Sequence, residues 1–171
     1  MTGIKSGGRA GGHDISMVSA VSDVSLRDLL AEALAMRREA AAGYRRRARE
    51  CAARQAPRVA RMFSRLAVLE SEQATRIEHD LPDLEVGTIL ARQVAWARPA
   101  RPAPPAGMSV EDALETARDN ERGMRAIFEH IAATSPNEAV RIRALRFALA
   151  ETRHLSTIEE VVAGARDGGN A

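Results

Sequence analysis

The chain is poor in several things that would settle its class at once. It has one cysteine, Cys51, in 171 residues, which excludes a disulfide framework, a four-cysteine metal knuckle and any C-x-x-C redox pair. A lone cysteine fits a reducing compartment, and the expected location is the cytoplasm. Aromatic residues make up only 3% of the sequence, which argues against a β-sandwich or barrel and for helices rich in alanine and leucine. No apolar run approaches the 18 residues of a membrane-spanning helix. The first 24 residues, rich in glycine and serine, lack the compact apolar stretch of a signal peptide and read as a disordered segment.

Lysine is nearly absent too. All but one of the 25 basic residues are arginine, yet the formal net charge is only +2. A basic balance that small does not point to nucleic acid, which is not an expected partner. The run Arg45-Arg46-Arg47 reads as a solvated helix face rather than a phosphate-binding patch. A size of 171 residues is enough for one domain with its own core.

What is present is a set of helix signals. Ser25-Leu26-Arg27-Asp28 approximates a capping box and opens a helix reaching about Arg54. Pro57 suits the first turn of a second, which runs to about Asp80. Ser109-Val110-Glu111-Asp112 opens a third, reaching about Thr134. Ser135-Pro136-Asn137-Glu138 supplies a serine cap and a first-turn proline for a fourth, ending near Gly164 before a flexible tail over 165–171. The links near 55–56 and 134–135 are short enough only for antiparallel neighbours. Residues 82–108 are different, holding Pro99, Pro102, Pro104, Pro105 and Gly107. They are long enough to run the length of a bundle. The expected fold is all-α: a four-helix bundle over 25–164, two helical hairpins joined by a Pro-rich crossover.

Each helix carries an apolar stripe at 3–4-residue spacing, interrupted near its middle by polar residues. The first stripe is Leu26, Leu30, Ala33, Arg37, Ala40, Tyr44, Ala48 and Cys51, and the second is Val59, Phe63, Leu66, Glu70, Gln73 and Ile77. The third is Val110, Leu114, Ala117, Glu121, Met124, Phe128 and Ile131, and the fourth is Val140, Ala144, Phe147, Glu151, His154, Ile158 and Val161. Burying an unpaired charge costs several kcal/mol, so four interruptions in register imply one shared polar site. Glu151-Thr152-Arg153-His154 sets a carboxylate and an imidazole on adjacent turns of one face, a spacing that suits a metal taking oxygen and nitrogen ligands. The two halves also repeat. Arg37 to Tyr44 and Glu121 to Phe128 are both seven residues, and Glu70-x-x-Gln73 mirrors Glu151-x-x-His154. An internal duplication of a helical hairpin accounts for this.

On these residues the sequence resembles the rubrerythrin branch of the ferritin-like superfamily, over roughly residues 26–162. The resemblance rests on Met36-Arg37-Arg38-Glu39-Ala40 leading to Tyr44, on Leu69-Glu70-Ser71-Glu72-Gln73, on Asn120-Glu121-Arg122 and on Ala150-Glu151-Thr152-Arg153-His154, with Trp96 just before the Pro-rich stretch. In that family each half gives one glutamate from its first helix and an E-x-x-H from its second, and together they bind two irons that react with peroxide or dioxygen. The resemblance implies Glu121, Glu151 and His154 as one complete half-site and Glu70 as the carboxylate of the other. Two positions depart from the family pattern: Arg37 stands for the first glutamate and Gln73 for the first histidine. Glu39 is two residues away, about 200° around the helix, and is expected to point outward unless the register shifts.

Charge narrows the options. Glu70, Glu121 and Glu151 against Arg37 leave two negative charges. One divalent ion neutralises them, and so does a metal-free core with His154 protonated and one carboxylate neutral. An arginine has only donors and is always protonated, so it cannot ligate a cation. It can form a bidentate pair with Glu70 or another carboxylate, its guanidinium replacing one iron. One iron or none is therefore expected, not two.

Two functions follow. One is an iron-binding oxidoreductase or iron- and peroxide-handling protein, whose electrons come from a separate donor because the chain lacks the four cysteines of a rubredoxin-like domain. The other is a non-catalytic bundle whose Arg–Glu core is metal-free and whose surface binds a partner or dimerises. The resemblance makes a homodimer the default assembly. Tyr44, Phe128, Met36, Met62 and Met124 read as packing, Cys51 as a small apolar residue, and His79 and His130 as exposed.

Overall fold

The structure is a computed structural model that describes residues 24–81 and 108–167. The expected N-terminal segment, the crossover with Trp96 and the last residues of the tail lie outside the described residues. Four helices form: α1 (Leu26–Ala53), α2 (Pro57–His79), α3 (Val110–Thr134) and α4 (Glu138–Asp167), with no strand among the described residues. They pack as two hairpins, α1 on α2 and α3 on α4, consistent with a four-helix bundle. No described helix is long and apolar enough to cross a membrane.

Two of the helix starts are the capping boxes expected from sequence. The Ser25 hydroxyl accepts from the Asp28 N–H at 3.1 Å while the Asp28 carboxylate accepts from the Ser25 N–H at 3.3 Å. Ser109 and Asp112 do the same at 3.0 and 3.3 Å. Each satisfies N–H groups that a helix start leaves without intrahelical partners. Between α1 and α2 the chain reverses through Gln55, at φ 57°, before Pro57 opens α2.

The fourth helix differs from expectation at both ends. Ser135 closes α3, its N–H bonding to the Ile131 carbonyl, so it does not open α4. The cap is Asn137, whose Oδ1 accepts from the N–H groups of Ala139 and Val140 at 2.9 and 3.3 Å. At the other end Gly164 does not stop the helix, which continues to Asp167. A Cβ there would run into the Arg58 guanidinium of α2.

The expected stripes face inward, and they fall into two apolar clusters. One joins Leu29, Leu30 and Leu34 with Ile77, Phe128, Ile131, Val140 and Phe147. The other joins Tyr44, Cys51, Phe63, Leu66, Leu114 and Ile158. Leu81, after α2, packs on the first cluster, and Met108, before α3, packs on the second. Leu81 and Met108 therefore lie at opposite ends of the bundle, separated by the length of the 23-residue α2, about 35 Å at 1.5 Å per residue. Surface pairs such as Arg143–Asp80 and Arg118–Glu159, both 2.7 Å, add about 0–1 kcal/mol each.

Candidate metal centre

Between the two apolar clusters lies a polar layer. Arg37, Glu70, Glu121 and Glu151 have no exposed surface and His154 is 2% exposed. Every candidate ligand named from sequence reaches this layer. The inward register follows from helical periodicity: Arg37 lies four residues past Ala33, Glu70 four past Leu66, Glu121 four past Ala117 and Glu151 four past Phe147, all buried apolar positions.

The Arg37 guanidinium joins the hairpins. One of its terminal nitrogens donates to both Glu70 oxygens, at 3.1 and 3.3 Å, and the other lies 2.5 Å from Glu151 Oε1. Its Cζ sits 5.7 Å from the ring centres of both Phe128 and Phe147, so the cation is held by two carboxylates and two aromatic faces. Burial opposes its charge, but Glu151 and Glu70 overcome this and raise its pKa.

His154 occupies the other side of the layer. Its Nδ1 lies 3.0 Å from Glu121 Oε2, 3.1 Å from Glu70 Oε1 and 3.6 Å from Glu151 Oε2. Burial disfavours the imidazolium, but the carboxylates of Glu121, Glu151 and Glu70 around it raise its pKa to about 11. Burial lifts Glu121 to about 8, with the His154 hydrogen bond pulling down and Glu151 pushing up. Glu151 is also penalised by burial, yet His154 and Arg37 hold it down at about 2. Tyr44 donates its O–H to Glu121 across the hairpins, and burial with that carboxylate beside it pushes the phenol well above its usual range. Gln73, half-buried, touches the far side of the imidazole, its amide nitrogen 3.2 Å from Nε2.

One ligand atom from each of Glu70, Glu121, Glu151 and His154 can be chosen so that all lie within 4.8 Å of one another, a group that can hold a metal ion. A single Nδ1–H satisfies one carboxylate oxygen, not three. Glu151 Oε2 is buried with no hydrogen-bond partner, a costly condition for a carboxylate oxygen. Three oxygens and one nitrogen converging on one point are a donor set for a divalent transition ion.

Some features were beyond the sequence stripes. Arg45 and Arg46 are exposed as expected, but Arg47 is buried, its guanidinium 5.9 Å from the Tyr44 ring centre. The Tyr44–Glu121 bond has a signal that the repeat could have supplied, since Tyr44 and Phe128 hold matching positions. Phe128 lies against Arg37 as Tyr44 lies against Glu121, so each hairpin's aromatic residue covers the other hairpin's first polar residue. Glu39 is exposed, as its position around α1 implies, and so are His79 and His130. No known protein family, curated protein or solved structure matches this chain.

Proposed function

We propose that the chain is a ferritin-like protein of the rubrerythrin type that has kept one metal position and filled the other with arginine. Glu70, Glu121, Glu151 and His154 would hold one divalent ion, iron being the metal of the family it resembles. The observation that carries this reading is the convergence of three carboxylate oxygens on one imidazole nitrogen, with Glu151 Oε2 unsatisfied. Such an ion supplies Lewis acidity and one-electron chemistry toward peroxide or dioxygen. The protein's own part is to keep Glu121 in place through Tyr44, to neutralise Glu70 and Glu151 through Arg37, and to close the layer from water between two apolar clusters. Electrons would come from a separate donor.

The test is metal content after growth with iron. One ion per chain, lost in Glu151→Ala and His154→Ala, supports the reading. Two ions per chain would contradict the role given to Arg37, and none would contradict the site.

A second reading has its own support. With Glu121 protonated, Arg37 and an imidazolium balance Glu70 and Glu151 without any metal, and the high pKa of His154 favours that state. In this reading the bundle is a binding or dimerisation module. Its contact face would be the outward row of α4, Ile142, Leu145 and Leu149, each at least 44% exposed, and two copies would pair through it. A metal-free dimer that Leu145→Asp converts to monomer in sedimentation would favour it. A metal-free monomer would exclude the metal site and the pairing through α4 alike.

A further inference from the structure

Gln73 occupies a position where the repeat places the counterpart of His154, yet it is not in the ligand group. Its amide lies instead on the imidazole of His154, with the nitrogen placed 3.2 Å from Nε2, on the side away from the carboxylates. The two ring nitrogens therefore meet different surroundings. Nδ1 faces Glu70, Glu121 and Glu151, and Nε2 faces one neutral amide.

That amide can present either of two groups to the ring, and half a turn about its last bond exchanges them without changing its shape. If the NH2 group faces Nε2, it donates, Nε2 must be bare and the ring proton sits on Nδ1. If the oxygen faces Nε2, the ring keeps a proton there. Only the second arrangement leaves an Nδ1 lone pair for an ion among the three carboxylates. A loaded site therefore requires the Gln73 oxygen.

We infer that Gln73 is a positioning residue: its amide oxygen accepts the Nε2–H of His154 and fixes the tautomer whose Nδ1 addresses the carboxylates. A residue that takes a ligand position in the repeat thus serves the remaining half-site by orienting its only imidazole. Partners of this kind change metal affinity by about 10–100-fold when removed. This deepens the metal-site reading above and rests on it for the affinity effect, but the proton on Nε2 can be read without metal.

The experiment uses the full chain, wild type, Gln73→Leu and Gln73→Glu, with the fold of each checked by circular dichroism. Cobalt(II) affinity is measured by competition with a chelator, and ring protonation by 15N spectra of His154 in the metal-free and zinc-loaded proteins. The expected result is an Nε2–H in both wild-type forms, about 10–100-fold weaker cobalt binding in Gln73→Leu, and binding restored in Gln73→Glu, which keeps an acceptor. A bare Nε2 in the metal-free wild type overturns the inference, as does Gln73→Leu binding cobalt within twofold of wild type. If the wild type binds neither metal, the proposed function fails, and the metal-free spectrum alone decides the role of Gln73.

Discussion

At the centre of the bundle, the first hairpin supplies Arg37, Glu70 and Gln73 where the second supplies Glu121, Glu151 and His154. The positions correspond along the chain, but their chemistry does not. The first half has its own cation, permanently charged, with two carboxylates and two aromatic rings around it. The second half has an imidazole that can give up its proton and a carboxylate, Glu121, lifted to about 8. One half is neutralised at every working pH, and the other can exchange protons for a metal. A duplicated frame therefore need not give a symmetric site: one residue that cannot deprotonate is enough to make one side structural and leave the other adaptable.

The largest effect should come from breaking the fixed half. In the metal-free protein, Arg37→Met leaves Glu70 and Glu151 buried without their cation and should cost about 3–5 kcal/mol in urea denaturation. A loss under about 1 kcal/mol would mean that the guanidinium is not what stabilises the layer. The same position tests symmetry directly. Arg37→Glu with Gln73→His gives both halves the same ligand types, and metal content should rise from one ion per chain to two. An unchanged stoichiometry would show that the two halves differ in more than these residues.

His154→Leu should cost less than Arg37→Met, about 1–3 kcal/mol, because Glu121, lifted to about 8, is already protonated at neutral pH and loses a hydrogen bond rather than a counter-ion. It should also abolish metal binding. A penalty equal to that of Arg37→Met would remove the distinction between a fixed half and an adaptable one.

The titrating groups separate the empty site from the loaded one. His154 is raised from 6.5 to about 11, so its contribution is complete below pH 6.5 and is lost as pH rises through 11. Glu121, raised from 4.5 to about 8, also favours the folded state most at low pH and loses this as pH passes 8. Glu151, lowered from 4.5 to about 2, contributes fully above 4.5 and loses its share as pH falls toward 2. The Glu121 share is complete only below 4.5 and the Glu151 share only above it, so the metal-free protein should be most stable near pH 4.5, weakening steadily toward pH 9. Metal must displace protons from the same groups, so its stabilisation should grow over that range. Thermal melts at pH 5, 7 and 9 with and without cobalt(II) should give opposite slopes; parallel slopes would show that ion and protons do not compete.

Much of this arrangement was legible in the sequence because helical periodicity fixes which residues share a face. Arg37, Glu70, Glu121, Glu151 and His154 follow from their spacing to the apolar residues on either side. The boxes at Ser25 and Ser109 are equally local. The start of α4 was not legible, because Ser135 and Asn137 both suit a cap and only packing decides between them. Ser135 is buried at the end of α3 and its N–H is used there. Contacts that cross between hairpins were hidden as well. The stripe puts Arg37 among carboxylates but does not say that it reaches Glu151 on the other hairpin; within α1, it does not say that Arg47 turns back over Tyr44 either. The outward row on α4 escaped because a reading that seeks one apolar face per helix ignores a second.

The smallest effect tests the aromatic residues that each hairpin lends to the other. Tyr44 stacks on Phe63 at 5.8 Å and gives its hydroxyl to Glu121, a carboxylate able to accept. Phe128, its counterpart, faces Arg37, which has only donors and needs nothing that a hydroxyl proton could supply. Tyr44→Phe keeps the ring and removes one hydrogen bond, so it should cost about 1 kcal/mol in the metal-free protein at pH 6, where Glu121 is protonated and needs the donor least. Raising the pH to 9, above the value near 8 for Glu121, should enlarge that cost, since the carboxylate then needs the donor. A cost that is the same at pH 6 and pH 9 would show that the phenol serves packing alone and that Glu121 is as fixed in its charge as the carboxylates around Arg37.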